Sequence, residues 1–181
     1  MKKISRAVAV SGGCVLGLLA VAGCQPIRLP VTAALASSIG SFLVQAGVPT
    51  TQSGPVTFNN TTGISVGSGV LRLDPSVITV TAAAPGKLVT LQAPSATLMV
   101  TARVAPLSER ETVCETGETY GPFDVTLDAT LQPVSVDPSS VALTQSTIAL
   151  LNAGEFSLCL EVVSPVDGTV TIASLAFDLG L

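Results

Sequence analysis

From Val56 onward the chain carries a hydrophobic period of two, and this pattern restricts its fold more than any other feature. Leu98, Val100, Ala102 and Val104 alternate with Thr97, Met99, Thr101 and Arg103. Ile78, Val80 and Ala82 alternate with Val77, Thr79 and Thr81. Val125, Leu127, Ala129 and Leu131 alternate with Thr126, Asp128 and Thr130, and Phe156, Leu158, Leu160 and Val162 with Ser157, Cys159 and Glu161. Successive side chains of a strand point to opposite faces, so each run has one apolar face and one Thr-rich face, as in antiparallel sheets with one solvated side. Two runs lose phase: Ile64 and Val66 pass through Gly67-Ser68-Gly69 to Leu71 and Leu73, and Val170 and Ile172 give way near Ser174 to Leu175, Phe177 and Leu179. Bulges or strand breaks are expected at both places.

Turn signals separate the runs at Asp74-Pro75-Ser76, Pro85-Gly86, Ala93-Pro94-Ser95, Asp137-Pro138-Ser139, Asn152-Ala153-Gly154 and Asp167-Gly168. No helix-length crossover lies between them. The pattern predicts an all-β fold, an antiparallel β-sandwich of the immunoglobulin-like kind over about residues 55–181, essentially free of helix. Aromatic residues are only 3% of the chain, so the core must be built from Val, Leu, Ile and Ala around five phenylalanines and Tyr120.

The stretch before the strands reads differently. Thr32 can cap a segment in which Leu35, Ile39, Phe42, Leu43 and Ala46 fall at helical spacing, with Gly47 and Pro49 beyond its end. This predicts a helix over 32–46 that covers an end or face of the sheet. A membrane-surface role for it is disfavoured, because the segment has no Lys or Arg to meet headgroups. An echo between Leu71-Arg72-Leu73-Asp74-Pro75-Ser76 and Val134-Ser135-Val136-Asp137-Pro138-Ser139 suggests duplication. Extending the match sets Leu98 and Val100 against Ser157 and Cys159, which reverses inside and outside, so two similar strand-turn corners explain it better.

At the start, Lys2, Lys3 and Arg6 precede an apolar run from Ala7 to Ala20 that ends in Val21-Ala22-Gly23-Cys24. The run is shorter than the roughly 20 residues that span a bilayer and contains Gly12, Gly13 and Gly17, which favours a secretory signal over a membrane helix. The last four residues resemble the lipobox of bacterial lipoprotein precursors. The resemblance implies cleavage after residue 23, a lipid on the Cys24 sulfur, and anchoring in the cell envelope. Gln25 is not the aspartate that retains such proteins at the inner membrane, so an outer-membrane address is implied where the host has one. Cys14 lacks the upstream apolar residue of this motif and leaves with the signal. Residues 24–31, with Pro26 and Pro30, then read as an extended tether, and 32–181 as a single domain.

Removing Lys2, Lys3 and Arg6 from the eight basic residues leaves five, against twelve acidic ones. That balance argues against nucleic acid as a partner. Cys114 and Cys159 remain as a pair, and an exported chain is expected to join them. Cys159 lies on the phase opposite Phe156 and Leu158, so the bridge would leave from the wet face and hold the 106–121 segment against its strand. On the chain-entropy model such a loop contributes about 4 kcal/mol.

That segment is the most highly charged, with Glu109, Arg110, Glu111, Glu115 and Glu118. Its carboxylates suggest a recognition loop or, as the rarer outcome, a calcium site, although no Asp-x-Asp-x-Asp-Gly loop is present. The chain has no histidine, which rules out Ser-His-Asp and Cys-His catalysis and the commonest metal ligand. Ser-x-x-Lys, phosphate-binding glycine loops and zinc spacings are also missing, and the sequons within 59–62 carry little meaning in a bacterial precursor. No cofactor is expected beyond the lipid on Cys24. The leading expectation is a non-enzymatic structural or interaction module of the envelope, whose partners are the membrane and an envelope protein. The rivals are a ligand-binding lipoprotein with an apolar pocket, and a hydrolase built on paired carboxylates, which lacks the Trp and Tyr platforms that sugars favour.

Overall fold

The computed structural model describes residues 28–35, 39–57, 65–83 and 95–180. The signal segment, Cys24, Lys87 and the 59–62 sequons lie outside them. The described residues form an antiparallel β-sandwich, as the alternation predicts. Its strands are β1 Arg28–Ala34, β2 Ser41–Val44, β3 Pro49–Thr57, β4 Ser68–Arg72, β5 Ile78–Ala82, β6 Ala96–Ala105, β7 Glu118–Leu127, β8 Pro133–Asp137, β9 Ser140–Ala142, β10 Glu155–Val163, β11 Gly168–Ile172 and β12 Ser174–Gly180. Two helices interrupt them, α1 Val113–Thr116 and α2 Gln145–Ala153.

One layer is the sheet β3-β10-β6-β7-β8. The other consists of two sheets that follow one another, β1-β12-β4-β9 and β2-β11-β5. Three chain segments, β1–β2, β12–β11 and β4–β5, run through both sheets and break at the same level. Hydrogen bonds carry the ladder across the break: Leu35 N–H donates to Ala173 O at 2.9 Å, Ile172 N–H to Gly40 O at 2.7 Å, and Ala173 N–H to Val77 O at 2.9 Å. This break accounts for the lost phase. Val170 and Ile172 are buried before it, Ala173 is exposed, and Leu175, Phe177 and Leu179 are buried after it.

The alternating apolar positions fill the space between the layers. Leu98, Val100, Phe156, Leu160 and Val162 are 0% exposed, and burial of each is worth about 1.5–3 kcal/mol. Phe156 of β10 meets Phe177 of β12 edge to face, with ring centroids 6.2 Å apart. The alternation does fail beyond Leu127. There Asp128 turns the chain by accepting from the N–H groups of Thr130 and Gln132, so β7 ends and Ala129 is exposed. Prolines fall where a missing N–H does no harm. Pro30, Pro49, Pro55 and Pro133 lie on edge strands, and Pro122, in the interior strand β7, lies where the β6–β7 register shifts between Val100 and Ala102.

Two expectations need correction. No helix is found among the described residues of 32–46: Arg28–Ala34 and Ser41–Val44 are strands paired with β12 and β11. β1 begins inside the stretch assigned to the tether. The same residues satisfy a period of two: Ala33, Leu35, Phe42 and Val44 are buried, whereas Leu43, inward on a helix, is 82% exposed. Pairing with β11 and β12 decides between the two readings, since a helix here would strip one side of both ladders.

The region after Val56 is also not free of helix. α2 has Thr144 as N-cap, its hydroxyl accepting from Thr147 N–H, buries Ile148 and Leu151, and ends on Gly154 in the left-handed conformation. The Asn152-Ala153-Gly154 signal is therefore a helix end rather than a hairpin turn. No helix among the described residues is long and apolar enough to cross a membrane.

Candidate interaction surface

β6 runs out at Ala105, and Pro106 cannot continue its ladder. The chain enters a 3-10 turn, Leu107–Glu109, and then α1, closed by hydrogen bonds from Glu109 N–H to Pro106 O, Thr112 N–H to Glu109 O and Gly117 N–H to Val113 O. This 106–117 segment folds back as a cover on the outer face of β10 and β6. Val113, 0% exposed, packs with Ala105 and Cys159 beneath it. Cys114 of α1 is bonded to Cys159 of β10, with Cα atoms 5.2 Å apart, within disulfide range.

The phase of Cys159 is as predicted, but its face is not wet. The cover buries Cys159 and its neighbour Ser157 completely, so β10 is buried on both sides over Phe156–Leu160. An alternating pattern shows which residues share a face and cannot show what lies on it.

The four candidate acids do not act together. Glu109, Glu111 and Glu115 are exposed, and among the described residues their side chains make no hydrogen bond or ion pair; the same holds for Arg110. Glu118, at the start of β7, turns instead to the N-terminus of α2. Its Oε2 accepts from Thr144 Oγ1 at 2.5 Å, Thr147 Oγ1 at 2.7 Å and Ser146 Oγ at 2.9 Å. Tyr120 O–H, behind them, donates to Thr147 Oγ1 at 2.6 Å. Partial burial works to raise the carboxyl pKa. The hydroxyls of Thr144, Thr147, Ser146 and Tyr120 together outweigh it, and Glu118 is held below the usual glutamate range. Among the described residues no three His, Cys, Asp or Glu side chains converge as metal ligands would.

Beside the cover lies a cleft of about 460 Å³ with Glu109 and Glu118 on its rim and Val104, Ala105, Pro106 and Leu150 as apolar walls. A second cleft, about 840 Å³, lies at the far end of the sandwich, lined in part by Leu43, Val48, Ala83 and Asp167. Leu43 and Val48 are 82% and 46% exposed there. The turns of this end are stitched together: Ala46 N–H donates to Asp167 Oδ1 at 2.8 Å and Gly47 N–H to Ser164 O at 2.8 Å.

The hydroxyl set of Thr144, Ser146 and Thr147 escaped the sequence reading. Its signal was present, a Thr cap with another Thr three residues on and a Gly closing the run at 154. Compared with known proteins, the chain matches no family model and no curated protein.

Proposed function

We propose that this chain is a lipid-anchored lipoprotein of the cell envelope that works as a non-enzymatic interaction module and meets its partner through the 106–117 cover. The carrying observation is the cover itself. Glu109, Arg110, Glu111 and Glu115 stand exposed on a segment pinned covalently to the sandwich, so charge is presented in a fixed geometry without being used for folding. Preorganised loops on a rigid scaffold lose less entropy on binding. Acid catalysis needs a carboxyl with a raised pKa, whereas Glu118, one of the two acids on the neighbouring cleft, is lowered.

Anchoring rests on the lipobox resemblance. β1 begins four residues after Cys24, a reach of at most about 14 Å, so that end of the sandwich faces the bilayer. The exposed Leu43 in the larger, far cleft favours a second reading, a small apolar ligand bound away from the membrane.

The test has two parts. A fatty-acid probe should label the wild type and not Cys24→Ser. Cross-linking in the native envelope should capture a partner that is lost when Glu109, Glu111 and Glu115 are replaced by Ser. Label on Cys24→Ser refutes the anchor, and unchanged capture moves the site to the far cleft, where Leu43→Asp becomes the informative variant.

A further inference from the structure

The cover is weakly attached to the sheet it hides. Among the described residues, every hydrogen bond made by residues 107–116 closes within the 106–117 segment itself. Residues 106–112 are all exposed, and Val113 is the one side chain of the 106–117 segment that is fully buried.

The face beneath it opposes closure. Ser157 shares the outward side of β10 with Cys159 and is 0% exposed, and its Oγ has no hydrogen-bond partner among the described residues. A hydroxyl sealed from water without a partner is costly, and lifting the cover would hydrate it. β10 itself does not depend on the cover. It is paired along its length with β3 and β6 and held from inside by Phe156, Leu158, Leu160 and Val162.

We propose that Cys114–Cys159 is a redox latch: it holds the cover shut against the buried Ser157 hydroxyl, which has no partner among the described residues, and reduction by a dithiol opens the cover while the sandwich stays folded. Cys114 is partly exposed and Cys159 wholly buried, so the attacking thiolate reaches the Cys114 sulfur. The S–S bond breaks, the Cys159 sulfur leaves as thiolate and takes a proton, and the dithiol is held as a mixed disulfide on Cys114. Its second thiol then attacks its own sulfur in that bond and releases Cys114. Two electrons and two protons pass to the protein, and the dithiol becomes a disulfide. The open state uncovers Ala105, Ser157 and the Cys159 thiol.

The test is limited proteolysis of the full-length chain with an arginine-specific protease, with and without dithiothreitol. On reduction, cleavage after Arg110 should rise roughly tenfold or more, while cleavage after Arg72 in β4 and Arg103 in β6 stays constant. In reduced Ser157→Ala the rise should be smaller by roughly threefold or more, since alanine gains nothing from hydration. An unchanged Arg110 rate overturns the latch. A parallel rise at all three arginines overturns it too, by making the disulfide a staple of the whole fold. A reduced Ser157→Ala protein that opens like the wild type removes the opposing force and with it the proposal.

Discussion

Thr147 Oγ1 donates to Glu118 Oε2 at 2.7 Å, and this bond ties the first turn of α2 to the start of β7. A carboxylate from a distant strand thus gathers the hydroxyls of the first turn, favoured by the positive end of the helix, while the Thr144 N–H that a capping-box acid would take donates to Tyr120 Oη. Glu118→Gln should lower unfolding free energy at pH 7 by about 1–2 kcal/mol, discounted toward the lower figure because the site is part open. Since the folded-state pKa lies below the usual 4.5, the contribution is complete above that value and is lost as pH falls through the lower, folded one. Urea titrations from pH 7 to pH 2 should show the wild-type advantage shrinking in acid. A gap that widens there contradicts the assignment.

Replacing Glu109, Glu111 and Glu115 together by Ser should shift Tm by no more than about 1–2 °C, because exposed charges without partners contribute little. Calorimetry of the triple variant beside Glu118→Gln separates presented charge from structural charge. A large loss in the triple variant would place these acids in the fold.

Gly117 is required by space. A Cβ there would lie 2.5 Å from Val113 O and 3.1 Å from Arg103 Cβ, neither of which can swing away. Gly117→Ala should cost about 1–3 kcal/mol and loosen α1 first, which hydrogen exchange over 112–118 would report. Normal protection in that segment would show that the close approach relaxes freely.

Truncating Phe177 to Ala should cost about 3–5 kcal/mol, and the same change at Phe156 a similar amount. Their edge-to-face contact predicts a coupling of about 0.5–1.5 kcal/mol in a double-mutant cycle. Additive losses would mean that the two rings stabilise the layers independently.

The alternation told most where one face meets the core and the other meets water. Leu98 and Val100 of β6, and Ile78 and Val80 of β5, are buried in the predicted phase while Thr97, Met99, Thr79 and Thr81 stay exposed, because each of these stretches has one inward side. It told less where the outcome depends on distant partners. Leu35, Ile39 and Phe42 suit a helix as well as a strand, and only β11 and β12, more than a hundred residues away, decide. α2 was hidden for the opposite reason: at nine residues it shows two buried aliphatics, Ile148 and Leu151, too few to establish a period. At the site, cysteine parity made the disulfide legible. The division of the four glutamates depended on α2 and was not.

The aligned break at Leu35, Val77 and Ala173 bears on how pairing errors are contained. A one-residue slip of a strand turns its entire apolar set outward. In an unbroken β11–β12 strand, a slip started at Gly168 would carry through to Leu179. Because the strand breaks and the side-chain phase resets at Ala173, a misaligned β11 would displace Val170 and Ile172 yet leave Leu175, Phe177 and Leu179 in place. The two halves of the long layer can thus find their alignment separately, and a mistake in one need not be inherited by the other.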